Sequence, residues 1–220
     1  QVAGVTGLTE AQARREGVRH AVTYMPGTSH AGYYPGAEKL LLKVLLDPDT
    51  GRLLGAQCTG KDGVDKRIDV LATAIAGGMS VEDLEHLDLA YAPPFGSAKD
   101  AVVMAGFAAA NTRRGITPAM TPAELLDQLA GGDPPMVIDV RSAKEYASGH
   151  LAEAVNIPVD EIRSRIEEVP ADRPVAVHCG VGYRSYVAQQ ILRHHGRTNV
   201  TNVLGGIGLI KTVQAARKGG

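Results

Sequence analysis

Three short apolar runs that do not alternate, Met136–Val140, Val175–His178 and Val200–Val203, stand between helical patterns in the second half of the chain. A strand wetted on one face alternates apolar and polar residues; one buried on both faces does not. The helical stretches read as Pro122–Leu129, Ala143–Ser148, Asp160–Glu168 and Ser185–His195. Strands of this kind separated by helices imply an α/β domain with a parallel sheet covered on both sides. In such sheets ligands bind beyond the carboxyl ends of the strands. Cys179 lies at one such end, directly after Val175-Ala176-Val177-His178 and just before a helix.

The first half reads differently. An alternating strand, Val2–Val5, leads to Thr9-Glu10-Ala11-Gln12, whose spacing is that of a capping box, starting a helix that ends near Gly17. Strands His20–Met25, Lys39–Leu46 and Leu53–Thr59 follow. The last two are joined by Asp47-Pro48-Asp49-Thr50-Gly51, a hairpin turn. Asp62–Gly77 reads as an amphipathic helix with Ile68, Leu71, Ala72 and Ile75 on one face. Ser80–His86 and Asp100–Asn111 read as two more helices. Strands followed by helices indicate an α+β domain with an antiparallel sheet over residues 1–111. Residues 112–120 are polar, with Gly and Pro and no apolar period, and read as a linker. Thr121-Pro122-Ala123-Glu124, a capping box with Pro at the first helical position, opens a second domain over 121–220.

The residues around Cys179 specify chemistry. The thiolate is the nucleophilic form of cysteine, and a helix N-terminus or a nearby cation favours it. In His178-Cys179-Gly180-Val181-Gly182-Tyr183-Arg184-Ser185, the two glycines let backbone N–H groups turn inward as an anion nest. Ser185 is placed to cap the following helix, and Arg184 adds a permanent charge for a thiosulfate-like or sulfonate-like group. Cys58, in the strand Leu54–Thr59, has no such neighbours and reads as a buried structural thiol. Two lone thiols fit a reducing, cytoplasmic setting better than a disulfide scaffold. A net charge of −1, with no run of one sign, argues against nucleic acid or a basic membrane patch as partner. There is no metal-ligand spacing and no apolar run of membrane-spanning length. His194 and His195 read as surface residues. The chain has no initiator Met and starts inside an apparent strand, as an excised or truncated piece of a longer protein would.

Residues 121–212 resemble a single rhodanese domain. The resemblance rests on the Cys179 loop, Val137-Ile138-Asp139-Val140-Arg141, Glu145-Tyr146, Gly149-His150-Leu151, Ala154-Val155-Asn156-Ile157-Pro158 and Leu204-Gly205-Gly206. It implies that Cys179 carries a persulfide between a small-molecule sulfur donor and a thiol acceptor or cyanide. Arg184 and the loop amides would assist, with Asp139, Arg141, Glu145 and His150 as framework. An Asp-x-Arg at a strand end reads as an ion pair fixing the sheet's carboxyl edge. The loop is also similar to that of cysteine-dependent phosphatases and arsenate reductases, which have one residue more between Cys and Arg. Here there are four, Gly180 to Tyr183, a cradle that suits a sulfur atom better than a tetrahedral phosphate. A rhodanese-like module that binds without catalysing is the other alternative, although such modules often lack the Cys.

Residues 1–110 resemble the dimerisation domain of pyridine nucleotide–disulfide oxidoreductases, above all coenzyme A-disulfide and persulfide or polysulfide reductases with a fused rhodanese domain. The resemblance lies in Tyr33-Tyr34-Pro35-Gly36, Lys39–Leu46, Gly51–Gly60, Asp69–Ile75 and Tyr91-Ala92-Pro93-Pro94-Phe95-Gly96. It implies a homodimer through residues 1–111, with Tyr34 and Tyr91 projecting into the partner subunit's redox site in the parent enzyme. Ala101, Ala105, Ala108 and Ala109 offer small side chains for close helix approach in that dimer. It also implies FAD, NAD(P)H and coenzyme A for the full-length parent. A dinucleotide site needs GxGxxG between a strand and a helix; Gly205-Gly206-Ile207-Gly208 comes nearest and lacks the final Gly. The chain itself is therefore expected to hold no cofactor and to reduce nothing alone. Purified, it should be colourless; a flavin absorbance spectrum would contradict this.

Overall fold

The computed structural model describes residues 1–219. The chain folds as two compact units, Gln1–Arg114 and a second beginning at Gly115. The first unit holds β1 (Val2–Gly7), α1 (Glu10–Arg15), β2 (Ala21–Thr28), β3 (Lys39–Leu46), β4 (Leu53–Gly60), α2 (Val64–Ala76), α3 (Val81–Leu84) and α4 (Ala101–Arg113). Its four strands form an antiparallel sheet in the order β1-β4-β3-β2. The β3–β4 turn closes on Asp47, whose carboxylate accepts the N–H groups of Asp49 and Thr50 at 2.8 Å each, and Gly51 takes φ +74°. Leu40, Leu42, Val44 and Leu46 alternate inward along β3 and pack with Leu71, Ala74, Val102, Ala105 and Ala109 into one aliphatic core.

The buried face of α2 also carries a charge. Arg67 is 1% exposed, and its guanidinium donates to both Asp100 carboxylate oxygens, at 3.2 and 2.5 Å, and to the carbonyl of Gly63 at 3.1 Å. Asp100 in turn caps α4, accepting the N–H of Val102 at 3.1 Å. One ion pair thus ties the start of α4 to the first turn of α2. The small residues of α4 are used inside this unit rather than on a dimer face. Ala101, Ala105 and Ala109 are buried in its own core, and only Ala108 of the four is partly exposed. The reason is close approach to β2: a Cβ on Gly27 would lie 2.9 Å from that of Ala101.

The second unit holds β5 (Ala119–Met120), α5 (Pro122–Leu129), β6 (Met136–Asp139), α6 (Ala143–Ala147), β7 (Ala154–Asn156), β8 (Val175–His178), α7 (Tyr183–His194), β9 (Val200–Val203) and α8 (Gly206–Lys218). All its strand pairs are parallel, in the order β5-β9-β8-β6-β7, so β8 is central. One face packs Ile138 and Val177 with Ala188 and Leu192. The other packs Val137, Ala176 and Val203 with Leu125 and Ile210. The antiparallel α+β unit followed by the parallel α/β unit is the arrangement read from the sequence.

Several elements differ from that reading. α4 runs on to Arg113, and Ala119–Met120, within the stretch read as linker, pairs with β9. Asp160–Glu168 is not an α-helix; it is a chain of turns ending in a short 3₁₀ segment, Ile166–Glu168. Lying between Pro158 and Pro170, it buries one side chain fully, Ile162, rather than a helical face long enough to outweigh the cost of nucleation. α7 begins at Tyr183, two residues earlier than expected. The strand β7 and the helix α8 were not anticipated.

Removing Asp100 leaves Arg67 charged and unpaired in the core and uncaps α4. Asp100→Ala should lower stability by about 3–5 kcal/mol, the cost of breaking a buried pair. Urea unfolding followed by circular dichroism measures this; a loss under about 1 kcal/mol would contradict it.

Candidate active site

β8 ends in the sheet centre, and the chain must turn at once into α7. Cys179 occupies the turn, 1% exposed. Its Sγ accepts the N–H of Gly182 at 3.1 Å and lies 3.5 Å from the Ser185 hydroxyl. Gly182 takes φ +112°, a backbone conformation that only glycine adopts without strain, and is the N-cap of α7. Burial pushes the Cys179 thiol up. The hydroxyl and N–H of Ser185, with the N–H groups of Val181 and Gly182, outweigh burial and bring it below its ordinary value. The opposite holds for Cys58, buried in β4 and pushed up to about 11 by burial.

Ser185 does not cap the helix. It sits in the first turn of α7, and its hydroxyl lies 2.9 Å from the carbonyl of Gly182 and 3.5 Å from Sγ, either of which can accept its one proton. The helix starts early because the positive-φ glycine already supplies the bend. Val181 and Tyr183 are exposed at the rim, 57% and 67%. Behind the loop lie two consecutive positive-φ glycines, Gly205 and Gly206, at the start of α8. The N–H of Ile207 donates to the carbonyl of Cys179 at 2.8 Å, and a Cβ on Gly206 would meet that carbonyl oxygen and Gly180 at 2.6 Å. These glycines stand between a strand and a helix, as a dinucleotide fingerprint would. Their freedom is used to press against the Cys179 loop and leaves no cradle for a pyrophosphate. Gly205 and Gly206 therefore do not serve as a dinucleotide fingerprint.

Arg184 projects from the first turn of α7 and closes on Glu145, Nη1 to Oε2 and Nη2 to Oε1, both at 2.7 Å. Hydrogen bonding to Arg184 holds the Glu145 carboxyl down at about 2. Glu145 belongs to the capping box of α6, where it also accepts the N–H and hydroxyl of Ser142. Read from sequence as framework, Glu145 is in fact the direct partner of the loop arginine. The signal available was Ser142-x-x-Glu145, which points to a cap and not to Arg184.

Beneath the loop, Arg141 closes on Asp139 through Nε and Nη2 at 2.9 and 2.6 Å, and reaches the Gly149 carbonyl at 2.9 Å. Both are buried at the carboxyl end of β6, the edge-fixing pair read from sequence. Asn156 ties β7 to the same end by donating to the carbonyls of Asp139 and Arg141. His178 is fully buried, and burial lowers its pKa, favouring the neutral ring. His150 stands apart, stacked on Tyr146 at 3.8 Å between ring centres.

Tyr34 and Tyr91 belong to the first unit. The Tyr91 hydroxyl is 2.8 Å from that of Tyr33, and this hydrogen bond pushes the Tyr91 phenol up. Tyr34 meets the ring of His30 edge-on. Tyr33, not singled out from sequence, is thus the partner of Tyr91, and with Tyr34 and Phe95 it is exposed. Among the described residues no group of His, Cys, Asp and Glu could hold a metal ion, and no helix is long and apolar enough to cross a membrane.

This geometry is that of a two-part molecule: a thiol-bearing loop on a parallel sheet, joined to an antiparallel α+β unit. Residues 121–212 match the rhodanese-like domain, and residues 2–102 match the pyridine nucleotide-disulphide oxidoreductase dimerisation domain. The two matches fall one on each unit, the dimerisation domain on the first and the rhodanese-like domain on the second. Structures similar to the chain include reduced Bacillus anthracis CoADR-RHD (TM-score 0.92, 42% identity, 98% of this chain and 38% of that one). They also include a NAD-dependent persulfide reductase from A. fulgidus (TM-score 0.82, 35% identity, 94% and 37%). Curated relatives include the coenzyme A disulfide reductase of Staphylococcus epidermidis, 44% identical over 81 residues, or 37% of this chain and 18% of that protein. The NAD(P)H coenzyme A polysulfide/persulfide reductase of Pyrococcus horikoshii is 39% identical over 101 residues, 46% and 22%. The chain thus spans about a fifth of these curated relatives in alignment.

If hydrogen bonds at Sγ hold the thiol down, Ser185→Ala should move the midpoint of Cys179 alkylation up by about one pH unit, the worth of a hydrogen bond to a charged group. Iodoacetamide labelling against pH, read by peptide mass, measures this. Cys58 should stay unlabelled throughout the neutral range; an unchanged Cys179 midpoint would contradict the account.

Proposed function

We propose that Cys179 transfers sulfur through a persulfide, within a larger FAD- and NAD(P)H-dependent coenzyme A-disulfide or coenzyme A-persulfide/polysulfide reductase. The observation that carries this is a buried thiol that is nonetheless held below its ordinary value by N–H groups and a hydroxyl aimed at Sγ. A thiol of that kind is a nucleophile. In the first step the Cys179 thiolate attacks the outer sulfur of a donor. An S–S bond forms to Sγ and the donor's own bond to that sulfur breaks, so its remainder leaves with the electron pair as a thiolate or sulfite. In the second step an acceptor thiolate, or cyanide, takes the outer sulfur and Cys179 leaves as thiolate. No external oxidant or reductant enters either step.

The loop amides at Val181, Gly182 and Ser185 hold the negative charge on Cys179 before and after each transfer. Gly206 keeps a side chain away from the loop backbone, and Asp139 with Arg141 fixes the strand end beside it. The names of the relatives support a thiol of the coenzyme A class as acceptor and reduction by domains outside this chain. The first unit's family supports a homodimer through residues 1–111, with Tyr34 and Tyr91 at the partner subunit's redox site. An isologous contact is the expected form.

Incubation with thiosulfate and cyanide should yield thiocyanate, and Cys179→Ala should abolish it while Cys58→Ala retains it. Equal activity in Cys179→Ala, or hydrolysis of a phenyl phosphate without sulfur transfer, would contradict the reading.

A further inference from the structure

The basic groups of the site are all neutralised. Arg141 is closed on Asp139, His178 is buried and favours its neutral form, and Arg184 is closed on Glu145. The last pair is the informative one, because it lies at the mouth of the loop: Arg184 Nη2 is 3.5 Å from where a Cβ on Gly180 would stand. The guanidinium and carboxylate are 38% and 42% exposed, and an ion pair so placed adds little to stability. Its consequence is for the charge that a ligand meets. An arginine fork fits one planar pair of acceptor oxygens, and Glu145 already fills that fork with two parallel bonds. The remaining attraction for an anion comes from neutral N–H groups and the start of α7.

A thiosulfate dianion brings two charges to this mouth and must compete with a carboxylate for Arg184. An organic persulfide brings at most one charge at its reacting sulfur and needs only the N–H groups. We propose that Glu145 is a specificity-determining residue that turns the Cys179 loop away from dianionic sulfonate-type donors and toward persulfides of small thiols. This rests on the sulfur-transfer reading above. The favoured step is balanced: Cys179 thiolate attacks the terminal sulfur of R–S–SH, giving Cys179–S–SH and R–S⁻. With thiosulfate the same attack would release sulfite, and it is the approach of the dianion that Glu145 opposes.

Glu145→Gln removes the charge and keeps a capping residue, since Gln serves at that position of a capping box. Ser142→Ala loosens the same helix start and keeps the charge. The rate of Cys179 persulfide formation is measured by intact mass with thiosulfate and with glutathione persulfide, for the unmodified chain and both variants. In Glu145→Gln the ratio of the thiosulfate rate to the persulfide rate should rise about tenfold, the worth of one freed charge-assisted hydrogen bond. In Ser142→Ala the ratio should stay within about twofold, well under the worth of that bond. An unchanged ratio in Glu145→Gln, or an equal rise in Ser142→Ala, overturns the inference and leaves sulfur transfer standing. Failure of both donors to modify Cys179 in any form overturns the sulfur-transfer reading itself, and this inference with it.

Discussion

Everything at the site depends on how the chain leaves the central strand. β8 ends inside the sheet, where water cannot solvate a charge, yet the residue placed there is a thiol that must ionise to act. The conflict is resolved locally. Gly182 bends the backbone so that α7 starts four residues after Cys179, and N–H groups at its entry, Val181, Gly182 and Ser185, face Sγ. Burial and hydrogen bonding oppose one another on the same atom, and hydrogen bonding wins. At Cys58 burial outweighs the opposing charge of Arg67, no hydrogen bond helps it, and the thiol is pushed up to about 11. The difference between the lowered thiol and the raised one is therefore a matter of helix placement, not of exposure, since both side chains are buried.

The same logic of closed charge runs through both units. Arg67 with Asp100 and Arg141 with Asp139 are buried pairs at element ends, each with its remaining hydrogen-bond capacity turned to backbone. They fix where α4 starts and where β6 stops. Arg184 with Glu145 has the same bidentate form but is half-exposed, and it sits over the loop rather than under it. Such a pair contributes little to stability, and its place at the mouth of the loop bears on the charge that a ligand meets there.

Much of this was legible in the sequence, for definite reasons. Unbroken apolar strands gave the parallel sheet. The capping boxes at Thr9 and Thr121 are simple i, i+3 signals, and both cap helices in the structure. The Cys179 loop was readable because glycine, arginine and a helix start crowd into a few residues. What escaped were contacts between residues distant in the chain. Arg67 lies on a helix legible only by its apolar face, and its partner Asp100 is 33 residues away. Glu145 and Arg184, 39 residues apart, and Tyr33 and Tyr91, 58 apart, are the same case. Gly205 and Gly206 looked like a failed nucleotide fingerprint because their reason, a close approach to Cys179, is tertiary. Asp160–Glu168, expected as a helix, lies between two prolines and forms turns and a short 3₁₀ segment instead.

The central claim is that Cys179, and not Cys58, is the atom on which sulfur rides. Intact and peptide mass spectrometry after exposure to a persulfide donor tests it most directly. The account requires a gain of one sulfur atom on the peptide carrying Cys179, removed by cyanide or a small thiol, with the Cys58 peptide unchanged. No added sulfur on Cys179, or an equal gain on Cys58, would contradict it.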